Sequence, residues 1–248
     1  MFNKIHPFLK RIFFFLVFAL LITSCTSEFK PATFNITSID KIYEADISVT
    51  YDKAKGNTEL SQAINASIEK AIVSTLSLND EEKRDLDAVL TSFNTEYVNF
   101  KNDFPEATEP VWELNIETEL TYQSENIITL AISTYSFEGG AHGNDQIKFL
   151  NLDAKTGKAL SQSDIIKNDI DFKTLTESYF IKLIESEDED LKLEDFFFGE
   201  PFKLPENIGF SEDGLVFLYN VYEVASYAQG YTEFVIPFDD MEPYLKVF

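Results

Sequence analysis

The chain is short of thiols, imidazoles and positive charge. Its 248 residues hold one cysteine, two histidines and one tryptophan, and 20 Lys and Arg stand against 43 Asp and Glu. A lone cysteine excludes an internal disulfide framework and a multi-thiolate zinc site. A formal charge of −23 argues against nucleic acid, because phosphate binding rests on neutralisation by Lys and Arg. The longest apolar run falls well short of the ~20 residues a spanning helix needs. What remains is globular in composition, 44% hydrophobic and 25% charged. The length suits one or two domains, and the acidic surface suits a cationic partner.

That apolar run, Ile12 to Ile22, follows Lys4, Lys10 and Arg11 and ends at Thr23-Ser24-Cys25. A basic start and a short apolar core read as a signal peptide. A small residue before the only cysteine of the chain looks like the lipobox of bacterial lipoproteins. The expectation is therefore a signal peptide over 1–24, lipidation of Cys25 with palmitate-type acyl chains, and a tether over 25–38. Two or more acyl chains anchor a protein stably where one binds marginally. Removing residues 1–24 takes away three basic residues and no acid, which deepens the charge from −23 to −26 and leaves His142 as the only histidine.

Beyond the tether, Ile39 to Tyr51 is strand-like. Leu60, Ile64, Ile68, Ala71, Ile72 and Leu76 form a helical stripe behind a cap at Asn57 or Thr58. A second helix is expected from about Asp80 to Phe100. Trp112, Leu114, Ile116, Thr118, Leu120 and Tyr122 alternate with polar residues as a half-buried strand. Ile127 to Phe137 and Gln146 to Leu152 read as further strands around a glycine-rich turn. Gly157 suits a turn of positive φ. A helix follows from about Asp171 to Glu185, then an acidic loop to Asp190. Strands within Leu204 to Tyr227 and over Tyr231 to Ile236 precede a short closing helix. These segregated blocks predict an α+β fold, mainly antiparallel sheet with helices packed on one side, with two similar sub-domains as an open variant.

Two segments stand out chemically. The first is the turn Gly139-Gly140-Ala141-His142-Gly143. It lacks the Gly-Lys-Ser/Thr ending of a phosphate loop and opens no helix. Its histidine either packs locally or touches a ligand. No His-Glu-x-x-His pairs it with a second imidazole. The second is the tyrosine cluster of Tyr219, Tyr222, Tyr227 and Tyr231 with Gly230. Tyrosine joins an apolar body to a polar tip, so the cluster either fills a sheet core or presents a surface for sugar or protein. The run Glu185 to Asp190 lacks the spacing and glycine of an EF-hand and reads as solvated charge.

Tyr135 to Asn144, Phe149 to Lys158, Ser163 to Ile166, Phe210 to Leu215, Tyr222 to Gly230 and Phe234 to Asp239 together resemble the RsiV/PdaC family of bacterial extracytoplasmic domains. The resemblance implies a PdaC-like part over 39–150 and an RsiV-like part of unknown function over 151–248. RsiV-type regions act as receptors for lysozyme. The deacetylase chemistry of PdaC belongs to a separate zinc domain, for which this chain has no room and no ligands.

The expectation is a non-catalytic envelope binding module that needs no cofactor and no metal. It faces the periplasm or exterior and touches the membrane through its lipid. Its partner is a cationic, lysozyme-like protein or peptidoglycan. The candidate binding residues are Gly139, Gly140, His142, Gly143, Tyr222, Tyr227 and Gly230. The alternative is an envelope hydrolase using His142 with carboxylates.

Overall fold

The computed structural model describes residues 29–76, 85–108, 110–167, 170–188 and 190–247. Cys25 and the expected signal peptide lie outside the described residues. So does the start of the second helix expected at Asp80.

Residues from Pro31 onward form one compact unit built on two sheets. The first has five strands in the order β1-β2-β3-β4-β5: Phe34–Ser38, Asp46–Ala54, Glu113–Gln123, Ile127–Phe137 and Asn144–Asp153. All neighbours are antiparallel except β2 and β3. Helices α1 (Glu59–Thr75) and α2 (Leu86–Asp103) supply the crossover between that parallel pair, as parallel strands require.

Each helix begins where a side chain satisfies its free N–H groups. Thr58 accepts from Ser61 N at 3.1 Å while Ser61 Oγ accepts from Thr58 N at 2.9 Å, and Asp85 accepts from Ala88 N at 2.8 Å. The α1 stripe of Ile64, Ile68 and Ile72 is fully buried and meets Leu114, Ile116, Leu130 and Ile132 of the sheet in the first core. Gly157, at φ +69°, lets the turn after β5 approach α1, where a Cβ would lie 2.7 Å from the backbone of Ile64.

The second sheet is antiparallel, in the order β6-β7-β8: Asn207–Phe210, Gly214–Tyr219 and Thr232–Pro237. A short helix α3 (Gln162–Ile165), the long helix α4 (Ile170–Glu187) and the closing turn α5 (Phe238–Met241) surround it. Phe172, Phe180, Phe210, Phe217 and Ile236 form the second core. The architecture is α+β with two mainly antiparallel sheets. The sheets differ in strand number and topology, so the two halves are not copies of one unit.

Four sequence expectations need correction. The tether over 25–38 ends in a strand: Phe34–Ser38 pairs along the outer edge of β2. Backbone bonding rather than burial makes it, since Ile36 is 77% exposed. The strand expected from Ile39 begins only at Asp46, and Ile42 is wholly exposed. Tyr122 does not share a face with Leu114 and Ile116. A bulge between Leu120 and Tyr122 shifts the register, and one extra residue sends the next side chain to the opposite face. Tyr122 therefore stacks on Phe210 at 5.6 Å in the second core. The acidic run at 185–190 continues α4 through Glu187, because Glu and Asp on an exposed face do not interrupt helical bonding.

Candidate functional site

The two chemically notable segments of the sequence meet in space. The glycine-rich turn joins β4 to β5, and the tyrosine loop joins β7 to β8. Gly139 (φ +94°) and Gly140 (φ +104°) turn the chain where side-chained residues would be strained. Gly143 is buried, and a Cβ there would fall 2.3 Å from the Tyr135 ring.

This geometry places His142 on the surface, stacked on Tyr227 with ring centroids 4.1 Å apart and planes 18° apart. Tyr222 closes the group, 5.5 Å from Tyr227 and 6.2 Å from His142. The Nδ1 of His142 lies 2.9 Å from the Gly143 carbonyl, which can only accept. Nδ1 therefore carries the proton of the neutral ring, and Nε2 accepts from the Tyr222 hydroxyl at 3.3 Å. Both ring nitrogens thus meet a carbonyl or a phenol rather than a carboxylate. Among the described residues, no group of three or more His, Cys, Asp or Glu is placed to hold a metal.

The tyrosines divide by role. Tyr219 is buried in the second core and donates to the Lys203 carbonyl, and burial pushes its phenol far above the ordinary range. Tyr222 is 54% exposed on the platform. Tyr227 and Tyr231 are half-buried. Burial raises the Tyr231 phenol, and the Asp145 carboxylate and Tyr227 add to the effect.

Next to the loop that carries Tyr222 lies a cleft of about 320 Å³ lined by Gln146, Ile147, Lys148, Phe149, Glu206, Asn207, Asn220 and Glu223. Burial holds the Glu223 carboxyl above its usual range. The Asn220 N–H, which donates to it at 2.8 Å, opposes that rise, and the Glu206 charge adds to it.

The walls of the cleft also join the two sheets. Strand β5 is the last of its sheet, so its outward backbone groups lack a strand partner. Asparagine side chains supply one. Asn207 Oδ1 accepts from Phe149 N at 2.7 Å and its Nδ2 donates to Ile147 O at 2.8 Å. Asn220 Oδ1 accepts from Ile147 N at 2.8 Å. Deeper in, buried Asn151 donates to Ile208 O at 2.7 Å and accepts from Thr129 Oγ1 at 2.8 Å. Gly209 makes room for this approach, because a Cβ there would lie 2.4 Å from the Phe149 ring.

The family model for the deacetylase PdaC matches residues 36–145, and the model for a protein family of unknown function, DUF3298, matches residues 152–239. The two matches lie in tandem, a PdaC-like segment followed by a DUF3298-like segment. A crystal structure of a DUF3298-family protein from Bacteroides fragilis superposes with a TM-score of 0.67 at 21% identity, covering 87% of this chain and 95% of that one. A DUF3298-family protein from Pseudomonas aeruginosa gives 0.61 at 19% identity, over 88% and 95% of the two chains. No curated protein matches the sequence.

On this division the platform is shared, with His142 from the PdaC segment and Tyr222 and Tyr227 from the DUF3298 segment, while Gly230 (φ +74°) ends the short turn that carries Tyr227. The joint between the segments is strand β5 with its asparagine partners. Asn207, Asn220, Asp145 and Glu223 gave no signal in the sequence, where isolated polar residues in or beside strands read as solvent-facing.

Proposed function

We propose that this chain is a lipid-anchored, non-catalytic binding module of the cell envelope. Its platform of His142, Tyr222 and Tyr227 engages a cationic extracytoplasmic protein of the lysozyme type. The observation that carries the reading is the exposed, stacked ring cluster with carboxylates close by in the chain, Asp145 beside Tyr231 and Glu223 next to Tyr222. Ring faces and carboxylates together suit Arg and Lys side chains. The net charge of −23 would speed encounter with a basic protein and make binding salt-sensitive.

The second reading, a cell-wall glycan, draws support from the open polar cleft next to the loop that carries Tyr222. The hydrolase alternative finds less support, since His142 is engaged by Gly143 and Tyr222 and no carboxylate among the described residues orients it as a base.

The test is interferometry of the full chain in detergent against hen egg-white lysozyme. Binding should weaken steeply between 50 and 500 mM salt, and Tyr227→Ala should cost at least tenfold in affinity, on the order expected for an aromatic hot spot. Absence of binding, or binding indifferent to both salt and Tyr227, refutes the reading. Displacement of lysozyme by soluble muropeptides would move the assignment to the glycan.

A further inference from the structure

Among the described residues only three that are not glycine hold positive φ: Phe197 (57°), Phe198 (54°) and Tyr222 (65°). Gly199 continues at 82°, so residues 197–199 make a left-handed turn. A side chain in this region crowds its own carbonyl, and consecutive phenylalanines adopt it only when the surroundings force them.

The forcing groups are visible. Phe196 and Phe197 are 3% and 5% exposed. Their rings pack at 5.3 and 5.2 Å on Phe180, and Phe197 also meets Phe202 and Tyr219 edge-on. The Phe197 N–H donates to Val224 O at 2.7 Å, which ties this turn to the loop that carries Tyr222. The third strained residue is thus on the neighbouring loop, two positions from that bond.

With two neighbours sunk in the core, Phe198 is thrust outward and is 69% exposed. Folding alone does not explain it. Glycine at 198 would make the same turn with less strain and less exposed apolar area. Strain that displays an aromatic side chain, beside a loop that displays another, marks a contact surface.

We propose that Phe198 is an apolar anchor that enters a recess on the cationic protein engaged by the platform, so that the contact surface spans both tied loops. This rests on the binding reading above. Exposed Glu194, Asp195 and Glu200 outnumber Lys192 and Lys203 around the turn, which repels an anionic bilayer and favours a basic protein surface. A sugar ring stacks on a flat aromatic face but offers no recess for a projecting one.

The experiment is calorimetric titration of the full chain in detergent with hen egg-white lysozyme, comparing wild type, Phe198→Gly, Phe198→Leu and Tyr227→Ala, with thermal midpoints measured alongside. Phe198→Gly should weaken affinity at least tenfold while its midpoint holds or rises, and Phe198→Leu should keep most of the affinity. Unchanged affinity in Phe198→Gly, with Tyr227→Ala impaired, overturns the anchor and leaves the platform reading intact. A wild type that ignores lysozyme defeats the parent reading and the anchor with it. A dimer-to-monomer change in Phe198→Gly overturns the anchor in favour of a second copy of this chain.

Discussion

The joint between the two segments makes a quantitative demand on one asparagine. Asn207 caps two outward groups of β5, the Phe149 N–H and the Ile147 carbonyl, at 2.7 and 2.8 Å. In Asn207→Ala the Ile147 carbonyl keeps the Asn220 amide at 3.1 Å, but the Phe149 N–H loses its only named acceptor. A typical hydrogen bond contributes about 1 kcal/mol net, and an orphaned buried donor costs about 1–3 kcal/mol. Water from the adjoining cleft lowers the second figure, so the expected loss is about 2 kcal/mol. For a chain of this size that corresponds to a fall of about 4–8 °C in Tm. Asn207→Asp should be no better, because the carboxylate still accepts from Phe149 but cannot donate to Ile147, and it adds charge near Glu206 and Glu223. The assay is urea unfolding followed by far-UV circular dichroism and by emission of Trp112, the only tryptophan. Trp112 sits in the first core against Phe93 and Tyr97. A weakened joint should therefore also separate the two transitions. A change below about 0.5 kcal/mol, the range of ordinary surface substitutions, with coincident transitions, would refute the idea that side-chain amides hold the segments together.

Glu223 makes a pH prediction of definite sign. Its carboxyl is raised in the folded state, so between the unfolded value near 4.3 and the raised value the native chain binds more protons than the unfolded one. Stability therefore falls as pH rises through that window. Glu223→Gln should be more stable than wild type at pH 7 and equal to it at pH 4, checked by urea unfolding at both. An equal difference at the two values would count against burial as the cause. Cys25→Ser should move the protein from the membrane to the soluble fraction on cell fractionation, and unchanged membrane retention would remove the lipid anchor from the reading.

Much of the fold is legible where burial and local preference coincide. The α1 stripe works because Thr58 caps the helix and three isoleucines fall on one face. Strand β3 alternates as expected through Glu119. The failures have identifiable causes. Strand β1 hides no side chains deeply enough to leave a pattern, since its reason for being is the free edge of β2. The bulge near Thr121 has no marker of its own, and the contact it serves is tertiary: Thr121 Oγ1 donates to Phe210 O at 2.9 Å. The site was legible as two separate motifs, one of glycines around a histidine and one of tyrosines. Their meeting was not, because it depends on asparagines that look like solvent-facing residues. Phe198 had no marker of its own, because its exposure follows from a left-handed turn set by the burial of Phe196 and Phe197.

The topology also fixes the end of the sheet at which the platform lies. Phe34 pairs with Ala54 at the end of the sheet where β2 and β3 finish, whereas β4 reaches the glycine-rich turn at the end where they start. The two points are separated by roughly eight strand residues, or about 27 Å at ~3.3 Å each. From Phe34 the chain therefore enters the sheet at the end remote from the stacked rings. The residues that depart furthest from ordinary backbone preference, Phe197, Phe198 and Tyr222, belong to the two loops tied together beside that platform, while the strands and helices behind them follow their patterns. Among the described residues, a fold that confines its non-glycine backbone strain to two loops tied beside exposed rings is arranged for contact at those loops.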